Sequence, residues 1–172
     1  MLGCTKKEVK KFIDAKIDQY GELRESSEEQ LWTLYKDAKS KIEEAKQNND
    51  FENIIKNLKV TAEASHFLNR PDIESWQLNN IGHYSIEKFK KENEINKLIG
   101  NYYKTGNQEK EIEKQKLKDA LDANEKLLKT AKKYLEKAKE VDLLNPDENR
   151  QRMINNNLKY IEEIEEIHVN LF

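Results

Sequence analysis

Two pairs of residues in this sequence have side chains at the spacing of a metal site. Glu63 and His66 form the first pair, and Glu165 and His168 form the second. Residues three apart on a helix lie on the same face, so the carboxylate and the imidazole of each pair could bind one metal ion. Both pairs fall on segments with a helical pattern of apolar residues, and the two segments are different predicted helices. The pairs therefore define a candidate metal site.

Ferritin-like di-iron proteins use this chemistry, with two Glu-x-x-His pairs and one further Glu from each of two other helices. Three observations weigh against such a site. Acidic residues number 33, so a Glu three residues before a His is common by chance. Both pairs lie near the predicted ends of their helices, and both histidines fall on apolar stripes, where a hydrogen-bonded core histidine is the usual explanation. We expect no metal and no other cofactor, and the di-iron protein is kept as an alternative.

The single cysteine, Cys4, lies in the sequence Leu2-Gly3-Cys4-Thr5, which resembles the end of a bacterial lipobox. In a lipobox the cysteine is acylated and becomes the first mature residue. The basic and apolar regions of a signal peptide do not precede Cys4 here, so either the sequence begins just before the cysteine or the match is accidental. In the first case residues 1–5 are a tether, and a lipid holds the protein at a bacterial membrane, periplasmic or on the surface. In the second case residues 1–5 are disordered and the protein is cytoplasmic.

Other motifs that carry chemistry are missing from the sequence. It contains no Gly-rich phosphate loop, no dinucleotide-binding fingerprint and no Gly-x-Ser-x-Gly elbow. The 31 basic and 33 acidic side chains leave a formal net charge of −2, and Lys and Glu are interspersed. Proteins that bind nucleic acid through its phosphates carry a basic excess or a basic stripe. We therefore predict neither an enzyme nor a nucleic-acid partner.

The composition is that of an all-α protein. Charged residues make up 37% of the 172 residues, and only 5 Gly and 2 Pro are present. Most β-rich folds need Gly, Pro or Asn-Gly at their reversals, so this scarcity of turn formers excludes them. The longest apolar runs are a few residues, too short for a membrane-spanning helix. The length fits one domain, which we assign to residues 6–172.

Apolar residues recur at the three- and four-residue spacing of amphipathic helices. Turn signals divide the chain into six predicted helices, over about residues 9–20, 26–48, 51–67, 72–104, 107–145 and 147–172. Because the loops are short, neighbouring helices should form antiparallel hairpins, the second helix with the third and the fourth with the fifth. We expect an elongated array or bundle of such hairpins.

The fourth predicted helix is either one long helix or two collinear helices with a kink at residues 90–94. Its sequence Ile81-Gly82-His83-Tyr84 is echoed eighteen residues later by Ile99-Gly100-Asn101-Tyr102. Eighteen residues make about five helical turns. A continuous helix would therefore place both tetrapeptides on one face.

Residues 75–86 form a long stretch without a charged side chain. A helix without a solvated face is usually enclosed on several sides, so we favour a central helix in which Gly82 lets a neighbour approach closely. Alternatively, polar side chains such as Asn79 line a groove that binds a partner through neutral hydrogen bonds. Combined with the echo, this second interpretation gives six candidate partner-binding residues: Trp76, Asn80, His83, Tyr84, Asn101 and Tyr102.

Two stretches of the chain resemble the tetratricopeptide repeat family, whose unit is a pair of antiparallel helices. Residues 95–107 resemble the end of a first helix and its turn. The second helix and its exit are matched by Ala131, Tyr134, Ala138 and Asn145-Pro146. Residues 67–71, with Trp76 and Ile81-Gly82 after them, resemble a junction between two units.

The match departs from the usual repeat in three respects. Roughly twenty extra residues lie between Gly106 and Ala131, compared with the usual unit of about 34 residues. Trp76 also lies too far from Gly82, and Ile99 occupies the expected glycine position. The resemblance implies binding of peptides or proteins rather than catalysis.

The sequence thus favours a non-enzymatic helical scaffold that binds a protein or peptide partner. An alternative is a structural protein that associates with itself through a coiled-coil-like seam. Apolar residues spaced three, four and seven apart form this seam: Leu117, Leu121, Leu128, Ala131, Leu135 and Ala138.

Overall fold

The computed structural model describes residues 20–92, 94–107 and 109–171, and this part of the chain is all-helical without a strand. Its six helices are α1 (Glu28–Gln47), α2 (Phe51–Phe67), α3 (Pro71–Glu92), α4 (Ile95–Lys104), α5 (Lys110–Asp142) and α6 (Glu148–Leu171). The predicted all-α fold class is confirmed. Cys4 and the predicted helix over residues 9–20, apart from Tyr20, lie outside the described residues.

Local side-chain chemistry sets the helix starts. Ser27 and Gln30 form a capping box at the start of α1. Asp50 caps α2 by accepting a hydrogen bond from the Asn53 backbone N–H at 3.1 Å.

Asparagines end the first two helices. Asn49 and Asn69 follow α1 and α2 in the left-handed conformation, with φ of 53° and 57°. Pro71 then begins α3, which suits a residue that has no backbone N–H to leave unpaired.

The chain between α3 and α4 is interrupted at the predicted kink. Glu94 takes a left-handed conformation, with φ of 46°, and one such residue ends the right-handed path of a helix. The expectation of a continuous helix over residues 72–104 is therefore wrong. The argument that both echoed tetrapeptides share a face fails with it.

Helix α3 is the centre of the packing. It contacts α2, α4, α5 and α6, while α1 packs on α2, and both α4 and α6 pack on α5. The α1–α2 and α3–α5 pairs are the two predicted hairpins. Within the described residues, the backbone of α2 approaches neither α5 nor α6. Helices α2, α5 and α6 therefore surround α3 incompletely, because the backbone of α2 stays apart from those of α5 and α6.

Helices α1, α3 and α6 run in the same direction. Lys46 of α1 lies with its Nζ 6.0 Å from the centre of the Tyr84 ring on α3. Between α3 and α6, Asn157 donates to Asn79 at 3.0 Å, and Arg150 donates to the Asp72 carbonyl. Both contacts between α3 and α6 join residues that are 78 positions apart in the sequence. Because this separation stays constant along the pair, the two helices run parallel.

The leucine seam of α5 lies inside the chain. Its six residues are between 0% and 6% exposed, because they pack against the other helices. Association of two copies through this seam would require the fold to open. The structure thus corrects the alternative in which two copies associate through this seam. The periodic apolar stripe is buried by other helices of the same chain.

A buried ion pair joins the ends of three helices. Arg150 and Asp142 are 4% and 1% exposed, and Arg150 Nε donates to Asp142 Oδ1 at 2.5 Å. The other guanidinium nitrogens donate to the backbone carbonyls of Asp72 and Asn145. Gln151 donates to the second oxygen of Asp142 at 2.8 Å. This network fixes the α5–α6 turn against the start of α3.

Gly82 is the point of closest approach between α3 and α5. A Cβ atom placed on Gly82 would lie 2.4 Å from Leu135 Cγ, whereas one placed on Gly100 would meet nothing within 4 Å. The close approach predicted for Gly82 is confirmed, and Gly100 has no such role.

We predict opposite effects for two Gly→Ala substitutions. Gly82→Ala should lower the free energy of unfolding by about 1–3 kcal/mol, since it forces Leu135 out of a packed position. Gly100→Ala should raise it by about 0.5–1 kcal/mol, because Ala favours the helix and meets no neighbour. Urea denaturation measures both values. Equal effects for the two variants would contradict the packing.

We also predict that Arg150→Met destabilises the fold by about 3–5 kcal/mol, because the Asp142 carboxylate stays buried without its counter-charge. Lys41→Met is the control: it breaks an exposed pair with Asp37 and should cost no more than about 1 kcal/mol. Denaturant titration of both variants makes the comparison. Similar losses would show that the buried network has no special role.

Candidate functional site

The uncharged segment of α3 leaves one accessible side. Of residues 75–86, eight are buried and none is fully exposed. The remaining four are half-buried: Trp76, Asn80, His83 and Tyr84. Their spacing of four, three and one places them on one side of a helix. We call these four residues the α3 strip.

Neighbouring helices cover the other sides of the segment. Toward α2, Thr61 donates to Gln77 at 3.1 Å, and toward α5, Ser75 donates to the Ala138 carbonyl at 2.8 Å. Toward α6, Asn79 accepts from Asn157. The buried polar groups are thus satisfied by protein partners. The predicted central position of this helix is what the structure shows, and the strip is its remaining side.

Helix α1 borders the strip on one flank. The Tyr84 ring lies 6.5 Å from the Phe51 ring and below the Lys46 ammonium. Trp32 and Tyr35, with rings 5.7 Å apart, are half-buried. Their helical positions share a side of α1 with Lys46.

The start of α3 also lies near this side of α1. Burial raises the pKa of Tyr35, and the charges of Arg70 and Asp72 act on it in opposite directions. Tyr35 therefore lies near the beginning of α3, as Lys46 lies near its middle.

Helix α6 borders the opposite flank. Lys90 places its Nζ 4.5 Å from the centre of the Tyr160 ring and pairs with Glu87 at 2.8 Å. Burial, followed by the charges of Glu87 and Glu163, raises the pKa of Tyr160 to about 12. The Tyr160 hydroxyl has no hydrogen-bond partner in the described part of the chain. Met153 is exposed one turn before Asn157, on the same side of α6.

These three parallel helices form what we call the inner face. It comprises residues of α1, the α3 strip and residues of α6: Trp32, Tyr35, Lys46, Trp76, Asn80, His83, Tyr84, Met153, Asn157 and Tyr160. Both tryptophans of the chain belong to it. Its lysine, Lys46, pairs with Glu43 at 2.8 Å, and the neighbouring Lys90 pairs with Glu87. The face is therefore aromatic and amide-rich, with little free charge.

The other two candidate residues lie on α4, beyond the break. Asn101 is exposed, and its backbone carbonyl accepts from the Thr105 hydroxyl. Tyr102 packs against Tyr103, with rings 5.2 Å apart, and below Lys110 of α5. Because α4 packs on α3 and α5 after the chain has turned, the helical register does not join these residues to the α3 strip.

The structure does not bring the two Glu-x-x-His pairs together. The pairs lie on α2 and α6, and the backbones of these two helices do not approach each other. His66 Nδ1 lies 3.2 Å from both oxygens of Glu74, and Glu63 accepts two backbone N–H groups.

The second pair is engaged in a similar way. Glu165 pairs with Lys132 at 2.8 Å, and His168 lies 2.9 Å from Asp122. Among the described residues, no three His, Cys, Asp or Glu side chains are grouped to hold a metal. Each predicted ligand instead joins two helices or fixes a loop.

Sequence reasoning missed the contributions of α1 and α6 to the inner face. Trp32, Tyr35 and Tyr160 are not among the candidate residues that the sequence predicts. The available signal was that Trp32 lies beside, not on, the apolar stripe that Leu31 and Ala38 define. A large aromatic residue beside the buried stripe is a candidate for a surface contact.

Comparison with protein-family models finds no match, and neither do comparisons with curated proteins and with solved structures. Within the described ranges, every helix is too short or too polar to cross a membrane.

Proposed function

We propose that this protein is a non-enzymatic helical scaffold that binds a peptide segment of a partner protein on its inner face. The observation that carries the proposal is the α3 strip. In a chain with 37% charged residues, the central helix presents uncharged aromatic and amide side chains between two parallel helices. Partly exposed aromatic clusters of this kind are typical of protein-binding surfaces.

The proposed recognition uses two kinds of side chain. Trp76, Tyr84 and Trp32 would supply apolar contact area with few rotatable bonds. Asn80 offers both a donor and an acceptor on the half-buried side of α3. Its side-chain amide would bind the main chain of an extended peptide through neutral hydrogen bonds. The helices already hold these side chains in place, which reduces the entropy lost on binding.

A tetratricopeptide-like arrangement is part of this proposal. In its support, α1 and α3 are the first helices of successive hairpins, and α6 runs parallel to them on one side. The departures are α4, which has no equivalent in a two-helix unit, and the 33 residues of α5. The length of α5 accounts for the extra residues that the sequence shows between Gly106 and Ala131.

The test uses random-peptide display on the purified chain, followed by affinity measurements with labelled peptides. The double variant Asn80→Ala/Tyr84→Ala should weaken the enriched peptides by about tenfold or more, because two contacts at the centre of the face are lost. Peptide binding should also change the emission of Trp32 and Trp76.

The matched control is Asn96→Ala/Tyr103→Ala, which removes the same two residue types from exposed positions on α4. This variant should bind the peptides as the unchanged protein does. The proposal fails if display enriches no peptide, if both variants bind normally, or if only the α4 variant loses affinity. Circular dichroism confirms that each variant remains folded.

We further propose that Cys4 is lipidated and that the scaffold is held at a bacterial membrane surface. The support is the sequence Leu2-Gly3-Cys4-Thr5, and a lipid chain gives membrane affinity to the domain that carries it.

The test of the lipid anchor expresses the gene with its natural upstream sequence in bacteria grown with an alkyne fatty acid. The wild-type protein should carry the label and sediment with membranes, and Cys4→Ala should do neither. An unlabelled wild-type protein would contradict this proposal and leave the peptide-binding proposal intact.

A further inference from the structure

Two neighbouring amides of α3 differ in their hydrogen-bond partners. Asn79 is buried, and its side chain accepts a hydrogen bond from Asn157 at 3.0 Å. Asn80 is half-buried, and its side chain makes no hydrogen bond with the described part of the chain. The Asn80 amide therefore presents a free donor and a free acceptor on the accessible side of the helix.

An unpaired amide distinguishes between two kinds of partner segment. In a helical segment, the main-chain N–H and C=O groups are already paired within the helix. In an extended segment these groups remain available, and each residue other than proline offers one donor and one acceptor. Asn80 therefore favours an extended partner over a helical one.

Two aromatic residues lie about one helical turn to either side of Asn80. Trp76 precedes Asn80 by four residues, and Tyr84 follows it by four. At the rise of an α-helix, Trp76 and Tyr84 are separated by about 12 Å along the helix axis. An extended chain covers about 13 Å in four residues, and every second side chain points to the same face. Two side chains four residues apart in an extended peptide thus match the two aromatic residues.

An unpaired ammonium group lies at the Tyr84 end of the strip. The lysines Lys46 and Lys90 are paired with carboxylates, each at 2.8 Å. Lys91 shares a side of α3 with the strip, and its Nζ lies 5.3 Å from the centre of the Phe51 ring, which contacts the Tyr84 ring. Lys91 makes no ion pair within the described ranges. Its charge is therefore available to an acidic group of a partner.

The opposite end of α3 differs in this respect. Arg70, just before the helix, donates to both carboxylate oxygens of Asp72, at 2.9 and 2.7 Å. A partner with one acidic group therefore has a free counter-charge at the Tyr84 end and a neutralised pair at the start of α3. This difference gives the strip a direction.

We propose that the inner face selects an extended peptide with two large apolar side chains four residues apart. One of these side chains contacts Trp76 and the other contacts Tyr84. The residue midway between them is small, so that its main chain can reach the Asn80 amide, and an acidic residue just beyond the Tyr84 contact pairs with Lys91. This inference rests on the proposed function and specifies the peptide that the face binds.

The experiment measures the affinity of labelled synthetic peptides for the full chain by fluorescence anisotropy. Each peptide carries two Phe residues in a Gly/Ser background, and the two Phe residues are two, four or six positions apart. A Glu or a Lys lies outside the first Phe or outside the second. A further peptide with an Ala-rich, helix-forming background has its Phe residues eight positions apart, which is the spacing that a helical partner needs.

The peptides with a four-residue separation should bind about tenfold or more tightly than those with two or six, because only they contact both aromatic residues and Asn80. Among them, the tightest should carry Glu, and replacing this Glu by Lys should weaken binding several-fold. Lys91→Glu should reverse the preference, so that the Lys peptide binds more tightly than the Glu peptide.

The matched control is Lys104→Glu, which makes the same charge reversal at an exposed position on α4. This variant should keep the preference for the Glu peptide. Both positions are on the surface, and circular dichroism confirms that both variants remain folded.

Three results would overturn the inference: equal affinity for all separations, tightest binding of the helix-forming peptide, or a charge preference that Lys91→Glu leaves unchanged. If peptides enriched by random display bind the inner face but lack this pattern, the inference fails while the proposed function stands. If neither the synthetic nor the displayed peptides bind, both fail.

Discussion

The absence of charge on the middle of α3 is the constraint on which the rest of the structure depends. From Ser75 to Ile86 the sequence has no Asp, Glu, Lys or Arg, while Leu78, Ile81 and the nearby Phe89 are completely buried. Burying each of these side chains is worth about 1.5–3 kcal/mol. Gly82 lets α5 come close enough to share this burial. The other helices are arranged around α3 because this is where most apolar area can be removed from water.

A helix that is surrounded in this way keeps its neighbours apart. Helix α2 covers one side of α3, and α5 and α6 cover others, but the backbone of α2 approaches neither of them. An opening on the surface of α3 therefore remains beside α2. The inner face occupies this opening, with α1 and α6 at its borders, and the proposed peptide site is a consequence of the central position of α3.

The features that depend on nearby residues could be predicted from the sequence. Asp50 and Pro71 mark helix starts because a cap or a proline acts within one turn. The kink near residues 90–94 was located, but its left-handed Glu94 was not, because a glutamate in that conformation has no local signature.

Contacts between distant segments were the part that could not be predicted. The seam containing Leu135 was predicted from its spacing, but the sequence left open whether it packs within the chain or against a second copy, since periodicity shows that a face is covered but not by what. The Arg150–Asp142 pair and the Asn79–Asn157 bond have no sequence signal at all. Six of the ten residues of the inner face were missed for the same reason. Tyr160, for example, approaches the α3 strip only after α6 has packed beside α3.

Residue-resolved hydrogen exchange of the native protein tests the central position of α3 most directly. Amides of residues 75–90 should be among the slowest to exchange and should open only with global unfolding, whereas those of α4 should exchange through local opening at lower free energy. If the amides of α3 exchanged as quickly as those of α4, the uncharged helix would not be the enclosed centre of the fold. The assignment of the inner face as a binding surface would then lose its basis.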